Sequence, residues 1–323
     1  AASIYTPPPN PLGIQPQLSP WFTDWNAGKR FVSLDLRTAG AIDICKRLVA
    51  RCDIVVANYS AGVLEKLGLG YERLRRERED LIFLSSTGYG SSGPNRGHVT
   101  WGPNIEALSG LSALSGFPSR ACTITQYAYP DALGALHGLV AVMCALLYRD
   151  RSGRGQFIDL SQYEVMTAAL GPLLMEAAAS GRDPARLGNA DRSAAPHGCY
   201  VAAGDDRWCA LAITSDDEWR RLCAVIGAPE LARDSRFVDR AARRVHAAEL
   251  DALLAAWMRT RGPHDATETL QTAGVAAGIV QNVEDLARDP QLVHTGFFEC
   301  VTHAVKGSVI ATGIPLGLTA TPG

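Results

Sequence analysis

The stretch from Tyr129 to Arg149 constrains the fold most, because between Ala132 and Leu147 only His137 is clearly polar. A helix that is apolar on every side belongs in a core, so this run predicts a buried helix with other layers packed around it. Pro130 suits its first position, having no N–H to lose and a φ that is already helical. Asp131 then stands at the helix start, where free N–H groups and the positive end of the dipole favour its anionic form. On spacing alone Asp131 reads as a helix cap. His137, inside such a helix, reads as a hydrogen-bonded core histidine.

The segments before this helix supply the layers. Arg30 to Leu36 alternates as a strand, and Thr38 caps a helix whose apolar positions are Ile42, Cys45, Leu48 and Val49. Asp53 to Ala57 is a short β-branched run, the mark of a buried parallel strand. Short helices follow at Gly62 to Leu67 and Tyr71 to Arg78, then a strand from Leu81 to Ser86. Beyond an irregular stretch (95–128) and the long helix, Phe157 to Leu160 reads as one more strand and Gln162 to Ser180 as a packed helix. This alternation predicts an α/β fold with a parallel, Rossmann-like sheet. Ligands in such sheets bind beyond the carboxyl ends of the strands. Asn58-Tyr59-Ser60 and the glycine-rich loop Thr87 to Gly93 lie there. That loop matches neither a dinucleotide fingerprint nor a P-loop, and by itself it reads as a turn.

The pattern changes after a polar linker. A hairpin is predicted around Gly204-Asp205-Asp206, and a capping box at Ser215 to Glu218 opens a helix. Helices at 245–261 and 264–272, a short strand at Gly278 to Gln281 and a helical pair at 283–294 follow. With 323 residues, the chain is about twice the size of a typical domain. The expected division is a large domain over 1–185, a linker over 186–198, a small α+β domain over 199–294 and a return segment over 295–323 that rejoins the large domain. Residues 1–20 read as a proline-rich surface arm.

A net charge of −2 gives no electrostatic case for a nucleic-acid or membrane-surface partner. The eight cysteines contain no C-x-x-C pair, which leaves no metal site to predict, and they read as free thiols of a cytoplasmic protein. No apolar run is expected to reach membrane-spanning length without interruption, and no signal-peptide pattern is present.

Five motifs stand in order along the chain: Asn26 through Leu36, Ala57 through Gly68, Gly88 to Pro94, Arg149 to Glu164, and Asp217-Glu218-Trp219. Together they make the sequence resemble the family III CoA-transferases, which include formyl-CoA, carnitine and benzylsuccinate CoA-transferases. The resemblance implies that Asp131 is the nucleophile and carries CoA as an aspartyl thioester between a donor acyl-CoA and an acceptor carboxylic acid. It implies CoA contacts at Leu34, Asp35 and Arg37, at Asn58, Tyr59 and Ser60, at Lys66, and at Thr100, Trp101 and Gly102. CoA is then a substrate, and no permanently bound cofactor or metal is implied. Glu164 and Gln156 are expected to be structural. The resemblance further implies an interlocked homodimer or a hetero-oligomer with a homologous subunit. The family's first strand and helix and its last segment have no counterpart here, so the chain is expected to be clipped at both ends.

The same fold serves 2-methylacyl-CoA racemases, which place a His where this chain has Trp101. Asn104 is the only matching polar residue, so half of the acid–base pair is expected to be missing. A third reading is a non-catalytic half or subunit of a larger CoA-transferase.

Overall fold

A computed structural model describes residues 20–303 and 305–321. Residues 1–19, most of the expected surface arm, lie outside the described residues. Two compact units emerge, one from Ser33–Arg192 and one from Ala1–Val32 together with Ser193–Gly323. In the second of these units the tail forms an antiparallel pair, Phe298–His303 with Gly307–Thr312, and Thr312 donates through both its backbone N–H and its hydroxyl to Asp24 Oδ1, at 3.0 and 2.8 Å.

The chain opens with α1 (Pro20–Trp25), which belongs to the second unit. The strand expected over 30–36 is absent: the segment is irregular, and Phe31 and Val32 are exposed. Alternation alone makes no strand without a neighbour, and no described strand lies beside it. In the first unit, α2 (Ala39–Val49) is capped by the Thr38 side chain, which accepts from Ala41 N. It leads to β1 (Ile54–Ala57), α3 (Val63–Lys66), α4 (Tyr71–Leu74) and β2 (Ile82–Thr87). The irregular stretch contains two short helices, α5 (Gly102–Leu108) and α6 (Leu111–Leu114). Then come α7 (Tyr129–Ser152), β3 (Phe157–Ser161), α8 (Gln162–Ala169) and α9 (Gly171–Ser180). The three strands pair in parallel in the order β1-β2-β3, with Val56 opposite Leu84 and Thr87 opposite Ser161.

Central β2 is buried on both faces, and its side chains divide by period two. Leu81 and Phe83 pack with Val49, Leu69 and Leu74 on one side. Ile82 and Leu84 pack with Val142, Ala145 and Leu160 on the other. The amino ends of the strands are tied by charge: Arg78 reaches both Asp53 and Asp80, and Arg149 reaches the same two carboxylates.

Helix α7 departs from the expectation of burial all round. Pro130, Gly134, Gly138, Val142 and Ala145 form one buried stripe, while Leu136, Leu139, Val140, Met143 and Leu147 are exposed. Glycine at 134 and 138 narrows the buried face and lets the helix lie close on Gln162, Leu160 and Leu84. The remaining apolar residues therefore point outward. His137 is exposed as well, with Nδ1 2.8 Å from the carbonyl of Leu133, so it is not a core histidine. The helix also has the length and apolarity of a membrane span, contrary to the sequence expectation; its buried stripe covers the sheet.

The second unit contains β4 (His197–Val201), β5 (Trp208–Ala212), α10 (Asp216–Val225), α11 (Arg240–Val245), α12 (Ala247–Met258), α13 (Pro263–Thr272) and β6 (Ala276–Val280). Its antiparallel sheet has the order β4-β5-β6, and the predicted hairpin and capping box are both present. Trp219, Leu222, Phe237, Leu250, Leu254 and Met258 fill its core.

Candidate active site

The carboxyl ends of all three parallel strands open on one cavity of about 400 Å³. Asn58, Tyr59 and Ser60 follow β1, Thr87, Gly88 and Tyr89 close β2, and Gln162 follows β3. Arg96, His98, Thr100, Trp101, Gly102 and Asp131 complete the wall. This is the position that a parallel sheet reserves for ligands, since loops leaving neighbouring strands diverge there.

Hydrogen bonds to the backbone hold the wall together. Asn58 Nδ2 donates to Ser86 O at 2.8 Å, which ties the end of β1 to β2. Tyr163 N donates to Gly88 O at 2.9 Å, tying the start of α8 to the glycine loop. The carboxylate of Asp159 accepts from Ser91 N at 3.0 and 3.1 Å and anchors the far side of that loop. The loop is more than a turn: a Cβ on Gly88 would lie 1.9 Å from Thr100 Oγ1, so glycine there admits a second segment of the wall.

Asp131 enters from α7. The N-cap is Ala128, and Asp131 is the third helical residue, with its own N–H bonded to Ala128 O at 3.1 Å. Asp131 is thus a first-turn acid rather than the expected cap, a position that the helix dipole still favours. Its side chain meets two neighbours. Gln162 Nε2 donates to Oδ1 at 3.2 Å, and the space above Gly102, where a Cβ would sit, begins 3.0 Å from Oδ2. The segment leading into α7 is fixed by buried Glu106 of α5, whose carboxylate accepts from Thr125 N and Thr125 Oγ1 at 2.8 and 2.9 Å.

Of the residues predicted from the sequence, Asn58, Tyr59, Ser60, Thr100, Trp101, Gly102 and Asp131 come together in this cavity. Leu34, Asp35, Arg37 and Lys66 are not among its lining residues. Arg37 is paired with Asp35 through two hydrogen bonds of 2.8 Å, which hold the Asp35 carboxyl down to about 2 and raise Arg37. Lys66 is exposed on α3. The sequence reading missed Gln162, Arg96 and His98. The strand-end rule could have found Gln162, which directly follows β3. Arg96 and His98 sit in a stretch without periodicity, and only the folded loop brings them to the cavity. The His98 ring meets Tyr89 edge-on, with centroids 6.0 Å apart. Among the described residues, Arg96 has no side-chain hydrogen bond or ion pair, which leaves its guanidinium available to an anion. No group of His, Cys, Asp or Glu among the described residues is arranged to hold a metal ion.

The sequence model of CoA-transferase family III matches residues 6–323. The chain belongs to this family. It is 36% identical over 282 residues to the probable CoA-transferase Rv1866 of Mycobacterium tuberculosis, covering 84% of this chain but 35% of that protein. It is 33% identical to the succinyl-CoA–D-citramalate CoA-transferase of Chloroflexus aurantiacus, covering 94% of this chain and 75% of the relative. The crystal structure of a CAIB/BAIF family protein from Brucella suis superposes with a TM-score of 0.84 at 32% identity, over 91% of this chain and 76% of that one. The mixed α/β architecture with its parallel sheet is therefore the family fold.

Proposed function

We propose that the protein transfers CoA from a donor acyl-CoA to an acceptor carboxylic acid, with Asp131 as the nucleophile. The observation that carries this reading is a carboxylate lining a strand-end cavity in a family III chain. An Asp131 oxygen attacks the thioester carbonyl of the donor and expels CoA thiolate, leaving a mixed anhydride. The thiolate attacks Cγ of Asp131, giving an aspartyl-CoA thioester and the free donor acid. The acceptor carboxylate then runs the same two steps in reverse. CoA enters and leaves as substrate, and the scheme needs no resident cofactor or metal. Tyr59 and Trp101 offer apolar surface to the acyl-CoA, and Arg96 offers a cation to its phosphates or to a substrate carboxylate. Mixing the protein with succinyl-CoA or acetyl-CoA should give a CoA-sized mass adduct on Asp131 that is lost in Asp131→Ala. An intact protein that binds CoA but forms no adduct would instead be a non-catalytic half or subunit.

His98 favours a second reading. It lines the same cavity as Asp131 and supplies the second acid–base group that the sequence comparison found missing at Trp101. A 2-methylacyl-CoA racemase would incorporate deuterium from D₂O at the α-carbon without any carboxylate acceptor, whereas a transferase would not.

We further infer that a second copy of the chain, or a homologous subunit, covers the exposed side of α7. Leu136, Leu139, Val140, Met143 and Leu147 recur at helical spacing along that side, an apolar stripe of the kind interfaces bury. Light scattering would report the assembly, and Leu139→Glu with Met143→Glu should dissociate it. Free thiols at all eight cysteines support a cytoplasmic setting.

A further inference from the structure

We infer that Gln162 is a catalytic residue of the transfer: its side-chain amide holds Asp131 Oδ1 and receives the charge that develops on that oxygen. The inference rests on the reading of Asp131 as the nucleophile. Gln162 is 7% exposed, and its Nε2 lies 3.2 Å from Oδ1. An ionised carboxylate has no proton to give, so the amide must present its N–H side to it. The placement is rigid, because Gln162 follows β3 directly and its neighbour Tyr163 is bonded to Gly88 O. It is also built around a glycine. A Cβ on Gly134, one helical turn beyond Asp131, would come within 3.2 Å of Gln162 Cγ and 3.6 Å of Nε2.

The two oxygens of Asp131 therefore have different surroundings. Oδ1 has a buried donor, while Oδ2 faces the space kept clear by Gly102. This divides the chemistry between them. Oδ2 forms the bond to the donor acyl carbon as the C–S bond breaks and CoA thiolate leaves. The thiolate then attacks Cγ, the π electrons of Cγ–Oδ1 move onto Oδ1, and their return expels the donor carboxylate together with Oδ2. When the acceptor carboxylate attacks the aspartyl thioester, charge passes through Oδ1 again and CoA thiolate leaves. That thiolate attacks the acceptor acyl carbon and releases Asp131 as a carboxylate. No proton or redox equivalent is consumed.

Both steps at Cγ pass through an oxyanion on Oδ1, within reach of Gln162 Nε2. In the anhydride and thioester Oδ1 is a neutral carbonyl oxygen, so the hydrogen bond strengthens as the barrier is climbed, which is the condition for catalysis. A neutral amide meets that condition without forming a salt bridge that would restrain the attacking carboxylate.

The test compares the full chain with Gln162→Leu and with Gln162→Glu, which keeps the shape but has no N–H at neutral pH. Steady-state transfer is measured alongside rapid-quench mass spectrometry of the Asp131–CoA adduct. Loss of one oxyanion donor should lower kcat by about 100-fold or more in both variants. Adduct formation should slow by a similar factor, while KM for the acyl-CoA stays within about threefold. A purely structural role would instead lower melting temperature and CoA affinity and leave the adduct rate of the folded fraction unchanged. Either folded variant retaining the wild-type adduct rate overturns the inference, and if the Leu variant does not fold, the Glu variant decides it. Absence of any adduct in the unsubstituted protein would overturn the nucleophile reading itself, and this one with it.

Discussion

Thr100 occupies the space that a side chain on Gly88 would need. A Cβ there would meet Thr100 Oγ1 at 1.9 Å, Cβ at 2.7 Å and Cγ2 at 2.8 Å. All three atoms sit close to the main chain, so the clash cannot be relieved by turning a flexible tip. Gly88→Ala should cost about 1–3 kcal/mol, the usual penalty of overpacking. It should also weaken CoA binding, because residues 98–102 line the cavity and must move. Pairing it with Thr100→Gly should restore most of both. Calorimetric titration with CoA and urea unfolding of the three proteins would show it; additive losses would mean that the two positions do not couple.

Gly102 makes a sharper statement about chemistry. Its missing Cβ would lie 3.0 Å from Asp131 Oδ2 and 3.4 Å from Ala128 Cβ. Gly102 is the buried first residue of α5. Gly102→Ala should leave folding intact and slow formation of the Asp131–CoA adduct by about tenfold, as expected when a reacting oxygen is crowded. Unchanged adduct kinetics would mean that Oδ2 does not attack across this space.

Two other glycines separate tight packing against backbone from tight packing against a side-chain tip. A Cβ on Gly155 would fall 2.1 Å from Leu81 O and 2.4 Å from Asp80 C, both main-chain atoms at the foot of β2. A Cβ on Gly138 would fall 2.9 Å from Leu84 Cδ2, the end of a side chain that can rotate. Gly155→Ala should therefore lose about 3 kcal/mol or more. Gly138→Ala should stay within about 1 kcal/mol of the parent, since alanine's helix propensity offsets the repacking. Denaturant melts of the pair would check the order, and equal losses would refute the distinction.

These positions mark how far the sequence could be read. The parallel sheet was legible because β2 carries apolar side chains on both faces, which only a covered strand tolerates. The capping box at Ser215 and the hairpin before it were legible because local chemistry decides them. The segment at Phe31 and Val32 was misread because a strand depends on a partner, and pairing is not a local property. The long helix was half misread for a related reason. Its composition fixes how much apolar surface it carries, but glycines 134 and 138 fix which stripe meets the sheet. Asp131 stood out by its place in the helix, whereas Gln162, in contact with it, is 31 residues away in sequence. Arg96 and His98 reach the cavity only through the path of a loop held by Ser91, Asp159 and Thr100.

The thiols of the second unit give a pH prediction. Burial pushes the Cys223 thiol up to about 12 and raises that of Cys209, and both are fully buried. A thiol reagent at about pH 8 should modify exposed Cys52, Cys122, Cys144 and Cys300 and spare Cys209 and Cys223 until the protein unfolds. The sign of the linkage follows from the raised value. Unfolded Cys223 ionises near its ordinary pKa of about 8.5, while the folded thiol stays neutral. Its contribution to stability is complete below that pH and is lost as pH rises towards about 12. Cys223→Ala should flatten the alkaline fall in stability, and an unchanged slope would show that another group controls it.

Arg243 carries the last prediction. Its side chain has no exposed surface, and it donates from Nε to Ala195 O at 2.8 Å, from Nη1 to Phe237 O at 3.2 Å and from Nη2 to Asp216 Oδ1 at 2.8 Å. Its guanidinium also lies 5.4 Å from the centroid of buried Trp219. Asp216 is half exposed, so screening keeps the ion pair itself weak. The larger contribution comes from the two carbonyls, which no water could replace without entering the core. Arg243→Ala should therefore cost about 3 kcal/mol or more, from orphaned acceptors and the cavity left beside Trp219. Arg243→Lys should recover only part of this, because one ammonium cannot serve three acceptors spread around a planar fork. Asp216→Asn should cost under about 1 kcal/mol, since it removes only the screened charge. Urea unfolding of the three variants ranks these contributions, and a loss in Asp216→Asn equal to that in Arg243→Ala would show that the ion pair, not the carbonyls, holds this core together.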